Sequence, residues 1–238
     1  MSAFFNNQNH LLIKNTMNAI LFVLGYALVC VLISGIIWLG RRVISSFNRA
    51  KYVDLGLPSG ILWSDRNVGA ENDTAMGELC NAPKDNSQIP DMEDFLELID
   101  AKNCTWEFKG SVKGEDFISG YKVTSKKNGN SIFFPYSDIL IVGDTGNEVP
   151  MSIYWSSQVE KTPVAFDDGI EGVVEEQVVL QLACPKKLDT EAKKDLFKQT
   201  CLGFKNADGA ELTVASDFIG LGLCERDANA FLRLVKRK

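Results

Sequence analysis

The stretch YVDLGLPSGILWSDRNVGA, residues 52–70, marks the start of the folded part of this chain. β-branched and aromatic residues flank a group of turn formers, which consists of Gly56, Pro58, Ser59 and Gly60. This composition predicts a strand, a turn and a second strand. We therefore expect a hairpin whose second strand places Trp63 in the core of the domain, where a large aromatic ring is most often found.

The segment before this hairpin has the composition of a membrane anchor. Residues 17–40, MNAILFVLGYALVCVLISGIIWLG, carry no charge and are long enough for a helix across a ~30 Å hydrocarbon core. Trp38 lies near the end of the run, and Arg41 and Arg42 follow it, as expected for the flanks of a membrane helix. A buried core helix would have a polar face, and a cleaved signal would have a shorter apolar region. We predict a tail at 1–16 and an uncleaved transmembrane helix at 17–40.

The charge of the chain also changes at this point. Residues 1–51 contain no acidic residue, and their basic residues are Lys14, Arg41, Arg42, Arg49 and Lys51. Removing these five from the 25 basic residues leaves 20 against 31 acidic ones, so the remainder carries a formal charge of about −11. The basic connector at 41–51 is expected to contact anionic lipid. The acidic remainder argues against nucleic acid as a partner, since phosphate binding needs clustered Lys and Arg.

The residues needed for common enzymatic chemistry are scarce in the domain. His10 is the only histidine and precedes the anchor, so the domain has no Ser-His-Asp or Cys-His pair. Of the six cysteines, Cys30 falls within the apolar run, and no C-x-x-C pair occurs. Buried free thiols are expected for the other five, with one or two disulfides as the alternative. We predict a non-enzymatic protein without catalytic residues or a cofactor.

Two helices and several further strands are predicted after the first hairpin. Asp91 follows Pro90 as an N-cap, and an apolar stripe then recurs at Met92, Phe95, Leu96 and Ile99. A second helix is expected between Pro185 and Thr200, with Leu196 and Phe197 on its apolar side. Strands are expected at TWEF, at SIYWSS (152–157), at VVLQLA (178–183) and in the closing NAFLRLVKRK. The strongest hairpin signal is Asn128-Gly129-Asn130 between YKVT and SIFF.

Several loops have residues that occur in ligand sites. GDTGN (143–147) and IGLGL (219–223) lack the full phosphate-binding motifs, so turns or tight backbone packing are the preferred interpretation. Two groups could supply oxygen ligands to calcium: Asp167, Asp168 and Glu171, and Asp144 with Asn147 and Glu148. A solvated acidic loop is the preferred alternative for both groups. For Trp63, Trp106 and Trp155, core packing is preferred over a stacked ligand.

Four blocks in a fixed order resemble the Fibrobacter succinogenes major paralogous domain family of Bacteroidota and relatives. They are YVDLGLPSGILWSDRNVGA, IPDMEDFLELIDAKNCTWEF, GYKVTSKKNGNSIFFP, and YWSS with the closing FLRLVK. The resemblance covers nearly all of residues 52–238. The chain differs from the family pattern at ENDTAMGELCNAPKDNSQ, where the family has an aromatic and glycine-rich stretch, and in a longer, more charged segment from Glu160 to Ala215.

The resemblance implies an α+β domain at 52–238 that is related to the C-type-lectin-like fold and belongs to exported or surface-attached proteins. Combined with the anchor, it predicts one transmembrane helix followed by a single mixed, mainly antiparallel β domain with about two helices. We expect a membrane-anchored, non-enzymatic domain of the bacterial cell envelope that recognises a protein or a glycan. The alternative is a structural or assembly subunit that oligomerises through small residues of the membrane helix, namely Gly25, Ala27, Ser34 and Gly35.

Two signals disagree about the side of the membrane on which the domain lies. Four basic residues follow the apolar run and only Lys14 precedes it, which by the positive-inside rule favours a cytoplasmic domain. The family resemblance favours export. The sequence therefore predicts a single-pass membrane protein and leaves the side of its domain open.

Overall fold

The structure, a computed structural model, describes residues 50–84, 87–113, 116–143, 146–165, 171–203 and 211–238. The predicted tail, the membrane helix at 17–40 with its flanks Trp38, Arg41 and Arg42, and most of the connector lie outside these residues. Within the described ranges, no helix has the length and apolar character needed to cross a bilayer.

The described residues form a mixed α+β domain with two helices and mainly antiparallel sheets, as predicted. The helices are α1 (Met92–Ile99) and α2 (Glu191–Thr200). The strands are β1 (Tyr52–Asp54), β2 (Leu62–Asn67), β3 (Leu79–Cys80), β4 (Cys104–Lys113), β5 (Asp116–Ser125), β6 (Ser131–Pro135), β7 (Leu140–Val142), β8 (Val149–Ala165), β9 (Glu171–Ala183), β10 (Ile219–Glu225), β11 (Ala230–Phe231) and β12 (Arg233–Lys236).

The strands of the described ranges form three sheets. Their orders are β1-β2-β12, β4-β5-β6, and β10-β9-β8-β11-β3, with β7 also paired to β8. The pairing of β11 with β8 is parallel, and the other described pairs are antiparallel. The chain ends beside its first hairpin, because β12 pairs with β2.

The opening hairpin forms as predicted. β1 pairs with β2 in the register Tyr52↔Ser64 and Asp54↔Leu62. Gly56 and Gly60 in the connecting turn have φ angles of 63° and 71°, which residues other than glycine rarely adopt. Trp63 is fully buried, which confirms its predicted place in the core.

The central hairpin also forms at its Asn-Gly signal. β5 and β6 pair from Thr124↔Ser131 to Gly120↔Pro135, and the amide of Ser125 donates to the carbonyl of Asn130 over 2.9 Å. On its other side, β5 pairs with β4 along its whole length. This sheet supplies one side of the site described below.

Helix α1 starts at the predicted cap. The Asp91 side chain accepts a bond from the Asp94 amide, and the Asp94 side chain accepts one from the Asp91 amide, which is a complete capping box. The predicted stripe is confirmed for Phe95 and Ile99, which are buried, whereas Met92 and Leu96 are half-buried. Leu98 is buried as well, so the apolar face is rotated from the predicted one.

The longest hairpin exceeds the predicted strands. The sequence predicts these strands over 152–157 and 178–183, but β8 continues to Ala165 and β9 already begins at Glu171. Their pairing has an irregularity between Trp155 and Val159. IGLGL is strand β10. A Cβ at Gly222 would lie 2.1 Å from Gln181 Nε2, so the tight-packing interpretation of this glycine motif is correct.

Aromatic rings dominate the core that joins the sheets. Trp63 and Trp155 are fully buried and Trp106 is 8% exposed, which confirms core packing over a stacked ligand for all three. The Phe134 ring lies 5.5 Å from Trp106 and 5.1 Å from Tyr154 between ring centres. These contacts hold the end of β6 in place, and the polar loop of the candidate site follows directly after that strand.

Candidate binding site

The turn after β9 carries the first part of the site. The amides of Lys187 and Leu188 both donate to the carbonyl of Cys184, over 2.9 and 3.2 Å, and close a tight turn. Tyr121 Oη donates to the carbonyl of Ala183 over 2.6 Å, and Leu188 is buried beneath the turn. Lys186 and Lys187 are therefore exposed on a firmly held backbone.

The loop after β6 carries the second part and is held from two sheets. The Tyr136 amide donates to the carbonyl of Ser119 over 2.8 Å, and Ser119 Oγ donates to the carbonyl of Tyr136 over 3.3 Å. On the other side, Ser152 Oγ lies 2.5 Å from both the amide nitrogen and the carbonyl oxygen of Ser137. Asp138 thus follows two residues whose backbone positions are fixed.

Tyr136 links the loop to the turn through Asp138. Its Oη donates to Asp138 Oδ1 over 2.5 Å and lies 2.9 Å from the carbonyl of Pro150. Asp138 Oδ2 in turn forms an ion pair with Lys187 Nζ. Burial, followed by the bond to Asp138, raises the pKa of Tyr136, so the phenol remains a donor at neutral pH.

These two segments and strand β4 enclose a hollow of about 420 Å³, here called the inner hollow. Its apolar wall is formed by Met76, Phe108 and Tyr136, and its polar groups include Ser119, Ser137, Asp138, Lys186 and Lys187. The rings of Phe108 and Tyr136 meet edge to face, with centres 6.0 Å apart. Its volume and its mixture of aromatic and polar groups are typical of small-molecule sites.

A second hollow adjoins the first across the two lysines. This outer hollow has a volume of about 400 Å³ and is lined by charged groups of both signs, among them Glu148, Lys186, Lys187, Asp189 and Lys193. Lys193 Nζ lies 2.9 Å from Asp189 Oδ1, so that pair is neutralised internally. The described lining residues of the outer hollow include no aromatic side chain, so it offers a ligand less apolar contact than the inner hollow does.

A third hollow, of about 390 Å³, lies between Ile99 and Leu221. Glu211 is the only charged residue among its described lining residues, and its rim reaches Gly203. The residues that follow, 204–210, lie outside the described part of the chain. We therefore take the inner hollow as the candidate site, because its polar groups and an aromatic wall border the same space.

The predicted calcium ligands that the structure describes, Asn147, Glu148 and Glu171, are not among the described lining residues of the inner hollow. Asp144, Asp167 and Asp168 lie outside the described residues, and Glu171 is the first residue of β9. Glu148 lines the outer hollow. Among the described residues, no group of three or more His, Cys, Asp or Glu side chains is arranged to hold a metal ion.

The cysteines of the domain are free thiols in the structure: Cys80, Cys104, Cys184, Cys201 and Cys224. Burial raises the pKa of Cys104, Cys201 and Cys224 to about 11. Those three are protonated at neutral pH and are poor nucleophiles, because the thiolate is the reactive form.

The residues of the inner hollow were not predicted from the sequence as a site. Asp138 and Lys187 form their ion pair across 49 positions of the chain, and no local motif connects them. The available signal was the charged Lys186-Lys187 pair, which follows the apolar strand VVLQLA after Cys184 and Pro185. Such a pair marks a strand end, but it does not identify the residues opposite.

The chain matches no protein-family model, no curated protein and no solved structure at a significant level.

Proposed function

We propose that this chain is a membrane-anchored, non-enzymatic binding protein of the bacterial cell envelope whose domain recognises a glycan at the inner hollow. The proposal includes the predicted anchor at 17–40, membership of the Fibrobacter succinogenes major paralogous domain family and a C-type-lectin-like fold. The resembling blocks support that membership in part, because two of them coincide with hairpins: β1-β2 and β5-β6. Contact with lipid is assigned to residues 17–51, and no role is assigned to nucleic acid.

The observation that carries the proposal is the prearranged inner hollow. Its loop is fixed by Ser119 and Ser152, and its turn is closed on Cys184. Groups that are already positioned lose little conformational entropy when a ligand binds, which favours affinity. A site of this size with an aromatic wall fits a small ring better than an extended protein surface, so a glycan is preferred over a protein ligand.

The polar groups of the hollow suit sugar hydroxyls. A carboxylate accepts about four hydrogen bonds, and Asp138 uses one oxygen for Tyr136 and the other for Lys187, so each oxygen retains acceptor capacity. Ser137 is half-buried at the same rim. The apolar face of a sugar ring can pack on Phe108 while its hydroxyls meet these oxygens.

Binding without turnover is favoured over glycoside hydrolysis. Hydrolysis requires two carboxyl groups on opposite sides of the scissile bond, about 5–9.5 Å apart. Asp138 is the only carboxylate among the described lining residues of the inner hollow, and the domain has no histidine. Turnover of a glycoside that is lost in Asp138→Asn would overturn this part of the proposal.

A glycan array with the full chain in mild detergent tests the proposal. Gly110→Leu is the test variant, because a Cβ at Gly110 would meet Phe108 Cε1 at 3.4 Å and Lys186 Nζ at 4.0 Å, which are ordinary contacts. The strand accepts this Cβ, while the rest of the leucine side chain occupies the hollow. We expect at least a tenfold loss of affinity, about 1.4 kcal/mol.

Thr105→Leu is the matched control, since Thr105 is exposed on the same strand and does not line the hollow. Its affinity for the glycan should lie within about twofold of the affinity of the wild type. Equal binding by Gly110→Leu and the wild type would refute the inner hollow as the site. Failure of the wild type to bind any glycan would refute the glycan ligand and leave a protein ligand as the envelope partner.

A structural or assembly subunit is the second candidate, and the end of the long hairpin favours it. Residues 161–165 of β8 and 171–175 of β9, here called the arm, pair with each other beyond the last contact of β10, at Glu176. Val173 on the arm is 60% exposed. Exposed strand edges can add a partner strand, and the membrane helix would supply another interface. A lone monomer in mild detergent would count against this role.

A further inference from the structure

We infer that the inner hollow selects a carbohydrate that carries a carboxylate, such as a uronic-acid unit, and that Lys186 binds the carboxylate. The inference rests on the proposed glycan-binding function and names the class of glycan. The described part of the hollow gives two independent reasons, one from charge and one from position.

The charge of the described lining residues is the first reason. Lys186 and Lys187 face one carboxylate, Asp138, so the described groups of the hollow sum to +1 in a chain whose formal charge is −6. Lys187 is neutralised by its ion pair with Asp138. Lys186 forms no ion pair or side-chain hydrogen bond with another described residue, so a ligand with one negative charge would complete the charge balance.

The position of Lys186 relative to the aromatic wall is the second reason. A Cβ at Gly110 would lie 3.4 Å from Phe108 Cε1 and 4.0 Å from Lys186 Nζ, so the ring and the ammonium group border the same small space. A pyranose ring packed against Phe108 therefore has Lys186 within reach of a substituent at its edge. A carboxylate attached directly to the ring matches this arrangement.

The opposite rim is suited to the neutral part of the same sugar. Asp138 is held by Tyr136 and Lys187, and its remaining lone pairs accept hydroxyl protons but repel a second carboxylate. The acid group of the ligand is therefore directed to Lys186 and the hydroxyl groups to Asp138. This division fixes the orientation of the ring in the hollow.

The test compares uronic-acid oligosaccharides with the same oligosaccharides after reduction of their carboxylates to primary alcohols. Tetramers of galacturonate, glucuronate and mannuronate, each with its reduced counterpart, are titrated into the full chain in mild detergent by calorimetry. We expect at least one acidic tetramer to bind about tenfold more tightly than its reduced form. This preference should decrease as salt is added, because the contact is exposed.

Lys186→Gln should abolish the preference for each acidic tetramer over its reduced form. Lys198→Gln is the matched control, since Lys198 is an exposed lysine of α2 outside both hollows. Equal binding of each acidic and reduced pair, or a preference that survives in Lys186→Gln, would overturn the inference while glycan binding itself stands. Binding of no glycan, neutral or acidic, would overturn the inference together with the proposed function.

Discussion

Replacing Arg233 by methionine tests the account of the core most directly. Arg233 is fully buried on β12 and forms no ion pair with another described residue. Its guanidinium donates to Asn67 Oδ1 over 2.9 Å, to the carbonyl of Ser64 over 3.0 Å and to that of Phe133 over 2.7 Å. It also lies 4.5 Å above the centre of the Phe134 ring. One side chain thus connects β2, β6 and β12.

The expected cost of this change combines two opposing terms. Each buried acceptor left without a donor costs about 1–3 kcal/mol, so three acceptors cost about 6 kcal/mol in the middle of the range. Burial lowers the pKa of Arg233 from 12.5 to about 10, so the charged form that is present at neutral pH is disfavoured in the folded state. This amounts to about 3 kcal/mol, which methionine would recover. The net loss in the free energy of unfolding is therefore about 3 kcal/mol.

Urea denaturation of the full chain in mild detergent, followed by tryptophan fluorescence, measures this loss. Trp63, Trp106 and Trp155 are buried and report on unfolding of the domain. Lys236→Met is the control, because Lys236 is exposed on the same strand and should change stability by less than about 0.5 kcal/mol. A loss in Arg233→Met below about 1 kcal/mol, with an unchanged slope against urea, would refute the reasoning.

Two further predictions concern alkaline pH and membrane topology. Burial raises the pKa of Tyr154 to about 12, above the value of about 10 in unfolded chains. The protonated phenol therefore stabilises the folded state fully below about pH 10, and this contribution is lost as the pH rises through 12. Tyr154→Phe should flatten that decline by about 2 kcal/mol in urea titrations at pH 10 and 12, and an unchanged decline would contradict it. Glu71→Cys, at an exposed position, should react with an impermeant thiol reagent on intact cells. Reaction only after lysis would place the domain in the cytoplasm, and the wild type controls for native thiols.

The parts of the fold that were predictable from sequence depend on neighbouring residues. The turn at Gly56 and Gly60, the turn at Gly129 and the cap at Asp91 are each determined within a few positions of the chain. Strand β10 shows the limit of such signals. Its glycines were correctly assigned to tight packing as one alternative, but only the contact with Gln181 shows that they lie in a strand.

The rest of the structure depends on long-range contacts that the sequence does not display. Arg233 belongs to the closing segment NAFLRLVKRK, which the sequence predicts as a strand, and its sequence context resembles that of the exposed Arg237. It is buried because β12 returns to β2, which brings Asn67 and Phe133 around it. The inner hollow likewise depends on long-range contacts, since its loop and its turn meet only after β8 and β9 have paired.

The two proposed functions are compatible on geometric grounds. Strand β9 begins in the arm at Glu171 and ends at Ala183, directly before the turn that carries Lys186, a separation of about 40 Å along an extended strand. A partner bound to the arm would therefore leave the inner hollow accessible.

An open hollow that holds one or two sugar units binds weakly on its own, because few groups contact the ligand. Assembly through the arm or the membrane helix would present several hollows to one polysaccharide, and such multivalency can raise the overall affinity by about 10²–10⁴. An assembly role would thus strengthen the proposed recognition of a glycan.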